Sequence, residues 1–114
     1  MINNIDELKD FIIKSLEDKK AENISVIDLG NNIALARYII IASGKSTRNV
    51  AAIADFVSDE VKKNSKLNSG IEGRGTSEWV LVDFGDIIVH IFHPEARNRF
   101  RIEDLWSKKN KNEE

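Results

Sequence analysis

Gly44-Lys45-Ser46 reproduces the end of a phosphate-binding loop, in which backbone amides and a lysine cradle the phosphates of a nucleotide. The complete pattern needs another glycine five residues ahead of Gly44, and Ile39 stands there, inside the apolar run 38–42. Without a flexible glycine-rich cradle, the expectation is a tight turn opening a helix, with at most a weak anion site at the helix end. Asp83-Phe84-Gly85-Asp86 holds a kinase-like triplet, but a kinase also needs a glycine-rich loop, a catalytic loop and a far longer chain. These residues read as a hairpin in which Gly85 takes the unusual dihedral. Nucleotide transfer by two carboxylates on Mg²⁺ wants acidic residues at i and i+2 of a strand, where both point to one side. No such pair occurs in the sequence, and Asp83 and Asp86 flank a turn, three apart. His90 and His93 have only Glu95 as a recognisable third ligand nearby. His90 is therefore expected to be a packed strand residue with one hydrogen bond, and His93 a helix-entry residue. Ser77 lacks the second glycine of a nucleophile elbow. No catalytic residue, metal or cofactor is assigned.

Hydrophobic spacing defines the elements that must position these residues. Ile5, Leu8, Phe11, Ile12 and Leu16 form one stripe of a helix over residues 5–20, with Asn4 and Glu7 as a capping box. Residues 24–29, with β-branched Ile24, Val26 and Ile27, read as a strand, followed by turn chemistry at Gly30-Asn31-Asn32. The continuous run 38–42 suits a central strand buried on both faces. A second helix follows to about Asn64, capped by Ser46 or Thr47, with Val50, Ile53, Ala54, Val57 and Val61 on its buried side. Residues 64–75 form a polar loop with one short strand near Ile71. Residues 79–83 and 87–92 are strands of the hairpin, and Pro94 opens a short helix. The order α-β-β-α-(β)-β-β-α predicts a single α/β (α+β) domain over 1–106, a mixed β-sheet flanked by helices. Residues 107–114 are expected to be a disordered polar tail.

Composition narrows the classes further. The chain has 114 residues, the size of one domain, with 41% hydrophobic and 32% charged residues. It has no cysteine, which removes disulfides, thiolate zinc sites and cysteine nucleophiles. Seventeen basic against nineteen acidic residues leave a net charge of −2, which argues against a dedicated nucleic-acid binder. No apolar run reaches a membrane-spanning length, and residues 1–4 show no signal-peptide pattern, so a cytoplasmic location is expected.

The remaining candidates belong to a surface. Trp79 opens a strand and reads equally as a core plug or a binding anchor, while Trp106, beside Leu105, reads as part of a packed C-terminal lid. Arg97, Arg99 and Arg101 spread around a helix and read as solvated, yet they frame Phe100, a hot-spot composition. Glu78, Asp83, Asp86, Glu95, Glu103 and Asp104 gather in the same half and could complement a basic protein.

Three blocks together resemble the ribosomal silencing factor family, RsfS or Iojap. The first is 38–50 with Ala52-Ile53-Ala54-Asp55. The second is Glu72-Gly73 with 79–92, and the third is Glu95, Arg97, Phe100 and Leu105-Trp106. The resemblance spans residues 5–106. It implies a nucleotidyltransferase-like topology without the catalytic acids, and a non-enzymatic job. Family members bind the large ribosomal subunit through its protein L-fourteen and block joining of the small subunit, which represses translation. Carried over, the contact surface includes Trp79 and Phe100, with Asp83, Asp86, Glu95 and Arg97 on the same face. Phe100 stands where a tyrosine is expected, which removes a hydroxyl donor but keeps the aromatic shape. Peripheral contact of the arginines with ribosomal RNA, and a homodimer covering one sheet face of the free protein, are further expectations. The competing reading is a divergent Mg²⁺-dependent nucleotidyltransferase.

Overall fold

The computed structural model describes residues 2–30, 36–73 and 78–100, the side chains of Arg99 and Phe100 excepted. The expectations for Trp106, Arg101 and the 107–114 tail lie outside the described residues. Helix α1 spans Ile5–Asp18 and begins where Asn4 accepts the Glu7 amide. The Glu7 carboxylate in turn accepts from the Asn3 amide and from Asn4 Nδ2, a variant of the capping box. The helix ends two residues earlier than its apolar spacing predicts. Lys20 takes a left-handed φ of 61°, and the Ala21 amide reaches back to the Leu16 carbonyl, closing a Schellman-type cap.

Strand β1 (Glu22–Asp28) starts earlier than residue 24, through a bulge at the positive-φ residue Asn23. Strand β2 (Tyr38–Ser43) and strand β5 (Ile87–Phe92) are buried along their whole length, as a continuous apolar run demands of central strands. Helix α2 (Thr47–Ser65) lies between β2 and the short strand β3 (Gly70–Glu72). Strand β4 (Trp79–Asp83) runs into β5 through a turn at Gly85-Asp86. Gly85 takes φ +88° there and Asp86 has no positive φ, the pattern of a type II′ turn that matches strand twist. Helix α3 (Pro94–Phe100) closes the described chain.

The sheet order is β1-β2-β5-β4-β3. Only the central β2–β5 pair is parallel, and the other three pairs are antiparallel. Strand alternation gives the sheet two apolar faces. One carries Tyr38, Ile40, Ala42, Val80, Val82, Ile87, Val89 and Ile91 against the stripes of α1 and α2. The other carries Ile39, Ile41, Ile88 and Phe92 beneath Leu29, Ala36 and Ala96 of α3, with Ile27, Trp79 and Leu81 half-buried at its margin. Among the described residues, the first face has two long helices over it and the second has one helix of seven residues. That asymmetry positions the site.

Gly44 shows why the glycine of the phosphate-loop look-alike is there. It is buried at the β2–α2 junction, and a Cβ added to it would lie 2.8 Å from Val50 Cγ2 and 3.1 Å from the Val50 amide nitrogen. The glycine permits the close approach of helix to strand. Gly44→Ala is expected to destabilise the fold by about 1–3 kcal/mol through overpacking, read from the urea midpoint.

Candidate functional site

Trp79 enters β4 on the sheet face that the long helices leave. The β4–β5 register sets Trp79 opposite Phe92, and Leu81 opposite His90. His90 is thus the diagonal neighbour of Trp79, within reach of large side chains. The indole Nε1–H donates to His90 Nδ1 at 2.9 Å. It also stacks on Phe92, with centroids 5.1 Å apart and planes 22° apart. His90 and Phe92 lie 6.0 Å apart and nearly parallel, so the three rings form one cluster. Trp79 falls between the two readings its sequence position allowed. It is half-buried, packed on one side, and on the other it lines an open groove of about 270 Å³ with Leu81, Glu72 and Gly73.

His90 is 6% exposed. Burial alone pushes its pKa down from 6.5 to about 4, so the ring is neutral at pH 7 and acceptance at Nδ1 places its proton on Nε2. The consequence for stability has a definite sign. Above pH 6.5 neither folded nor unfolded His90 is charged, and the residue adds no pH dependence. Between pH 6.5 and 4 the unfolded chain takes up a proton that the folded chain refuses, so stability falls as pH falls, and it levels off below 4. The loss between pH 7 and pH 5 is expected to be about 2 kcal/mol, from 1.36 kcal/mol per pKa unit. Urea midpoints at the two pH values measure it, and His90→Asn is expected to remove most of it.

Helix α3 sits on the same face, toward β1. His93 caps it, with Nδ1 accepting the Glu95 amide and its carbonyl accepting the Arg97 amide. The His93 amide in turn donates to the Glu78 carbonyl at 2.7 Å, which joins the helix entry to the start of β4. Arg97 is not a solvated helix residue. It is half-buried, donating from Nη1 to Ser43 Oγ at 2.9 Å and from Nη2 to Ser25 Oγ at 3.3 Å. It ties α3 to β2 and β1. Glu95 is exposed in the first turn of α3. Phe100 ends the helix, but its side chain lies outside the described residues.

Asp83 and Asp86 lie elsewhere. They occupy the hairpin at the opposite end of β4, four and seven residues from Trp79. Asp83 Oδ1 accepts the Gly85 amide at 2.8 Å, and the Asp86 carbonyl accepts the amides of Arg37 and Tyr38. Nearby, the Arg37 guanidinium bonds Asp28 and holds that carboxyl below the usual carboxylate range, helped by the Gly30 amide. The fold thus gathers Trp79, Glu95 and Arg97 at one end and the hairpin acids at the other.

The other chemical look-alikes are absorbed by local structure. The Lys45 amide is taken by Asn49 Oδ1 and the Asn49 amide by Ser46 Oγ, so the start of α2 caps itself. His90 and His93 each spend Nδ1 on a different partner. Among the described residues no group of three or more His, Cys, Asp or Glu could hold a metal ion, and no helix is long and apolar enough to cross a membrane. Sequence reading missed Leu81, Glu72 and Gly73 as neighbours of Trp79. Strand alternation could have found Leu81, but Glu72 and Gly73 come from the pairing of β3 with β4.

The profile of one protein family, described as "Ribosomal silencing factor during starvation", matches residues 2–114. The chain is 41% identical over 95 residues to the ribosomal silencing factor RsfS of Zymomonas mobilis, covering 83% of this chain and 71% of that protein. It is 31% identical over 102 residues to a mouse protein named mitochondrial assembly of ribosomal large subunit protein 1, covering 86% of this chain and 44% of the mouse protein. In three dimensions it resembles a Chromobacterium violaceum protein of known crystal structure, with a TM-score of 0.87, 37% identity, and coverage of 92% of this chain and 88% of that one.

Proposed function

The chain belongs to the RsfS family of ribosomal silencing factors, regulators of translation, and from that premise we propose that it docks on the large ribosomal subunit through protein L-fourteen. Docked there, it occupies a surface that the small subunit must reach, so the two subunits cannot join and translation falls. The mechanism is exclusion in the cytoplasm, and it requires no reaction. The name of the mouse relative, which refers to the large subunit, supports the choice of subunit.

The observation that carries this reading is the state of Trp79. It is half-buried, stacked and hydrogen-bonded, yet lines an open groove beside Leu81 on the sheet face opposite α1 and α2. An aromatic held rigid at the edge of an apolar face is the composition of a binding hot spot. Exposed Glu72 beside the groove, and Glu95 at the same end of the sheet, favour a basic partner and would speed its approach. A docking face of ordinary size covers about 800 Å² per partner. Micromolar binding then corresponds to about 8 kcal/mol and nanomolar binding to about 12.

Co-sedimentation with isolated large subunits, followed by a subunit-joining assay, tests the proposal. The expected result is stoichiometric binding to large subunits and loss of joined particles as the protein approaches saturation. Particles that pair normally at saturating protein would overturn it. Turnover of labelled nucleoside triphosphates with Mg²⁺, abolished by Asp83→Asn or Asp86→Asn, would show an enzyme instead.

A further inference from the structure

We propose that His90 is a positioning residue for docking, its imidazole holding the Trp79 indole in the orientation that the partner meets. The proposal rests on reading this face as the one that contacts the ribosome. An indole has a single polar donor, so one acceptor placed beside it fixes the rotation of the ring. Nδ1 of His90 is that acceptor, at 2.9 Å, while the stack on Phe92 fixes the plane. Two restraints of different kind thus leave the indole little freedom before any partner arrives. Ordering a side chain in advance reduces the entropy lost on association.

His90 itself is buried and is not among the residues lining the groove of Glu72, Gly73, Trp79 and Leu81. Its influence on a partner must pass through the tryptophan. On its own side of the sheet, Ile88 and Phe92 two residues either way along β5 and its β2 partner Ile41 are buried apolar residues. A leucine would suit that environment without the desolvation that an imidazole suffers. What an imidazole supplies that a leucine does not is the acceptor.

Two substitutions of similar size separate the acceptor from the packing. Asparagine places Oδ1 near the position of Nδ1, whereas leucine fills the volume with no acceptor. Each is made in the full chain, and three quantities are measured: the urea midpoint at pH 7.5, the indole ¹⁵N–¹H resonance of Trp79, and co-sedimentation with isolated large subunits. The Trp79 resonance is identified by its loss in Trp79→Phe. His90→Leu is expected to stay folded with a midpoint equal to or above that of the unaltered chain. Its Trp79 indole resonance should move upfield, and its binding should weaken about fivefold to tenfold, the loss of one hydrogen bond. His90→Asn is expected to bind within about twofold of the unaltered chain, since the acceptor is kept. Equal binding by the leucine variant and the unaltered chain would overturn the proposal. So would equal loss in both variants, because the acceptor would then not be the property that matters. If leucine is not accommodated, His90→Val makes the same comparison. Failure of the unaltered chain to bind large subunits would overturn the docking reading and this proposal with it, and it shows before any variant is made.

Discussion

Trp79→Ala is expected to weaken binding to isolated large subunits by about thirtyfold or more, at least ~2 kcal/mol, while the chain stays folded. Both halves follow from the half-buried position of the indole. The truncation removes the aromatic platform of the groove, leaving Leu81, Glu72 and Gly73 around an emptied space. It also removes the stack on Phe92 and the bond to His90, which should cost about 1–2 kcal/mol of stability. The main core does not depend on Trp79, because the residues between the sheet and α1 and α2 form a separate cluster. Circular dichroism and a urea titration establish the folded state, and co-sedimentation then measures binding. A folded Trp79→Ala chain that binds undiminished would remove the tryptophan from the docking face. A chain that unfolds outright would make it a core residue.

The largest loss of stability is expected from Phe92→Ala, about 3–5 kcal/mol. Among the described residues Phe92 heads the fully buried side chains by volume, with no exposed surface. It ends β5 under the second sheet face, and its backbone carbonyl accepts the Gly44 amide at 2.9 Å. Deleting the ring leaves a cavity between β5, Trp79 and α3, which the surrounding strands cannot close without breaking register. Domains of this size hold about 5–15 kcal/mol in total, so the variant should lose a third or more of its stability. Phe92→Leu should lose much less, because it leaves a smaller cavity. The midpoint difference between the two variants measures the cavity, and near-equal midpoints would mean that the site collapses around the deletion. Phe92→Leu should also weaken docking, since the indole loses its stacking partner while the fold survives.

Local signals carried far in this chain. The capping pairs Asn4–Glu7 and Ser46–Asn49, the hairpin glycine at Gly85 and the helix entry at His93-Pro94 are settled within four residues of sequence. Such pairings need no tertiary context. Where the reading of an element end moved, a local backbone event outweighed the apolar spacing, as at left-handed Lys20 and bulged Asn23. The Trp79–Phe92 block was legible as a hairpin, and alternation alone puts Trp79, Leu81 and Asp83 on one face. Shared facing did not mean shared place, since Asp83 lies at the other end of the strand from Trp79.

The sequence by itself determined the order of elements, the buried central strand at 38–42 and the absence of an acidic pair for metal-dependent transfer. All three are matters of residue type and spacing along the chain. Only the tertiary structure decided that β3 lies beside β4, that Arg97 crosses to Ser43 and Ser25, and that Gly44 leaves room for Val50. It likewise decided that one sheet face receives two long helices while the face bearing Trp79 keeps an open groove. These contacts join residues distant in the chain, where no spacing rule applies and the outcome depends on how the whole apolar surface can be buried at once.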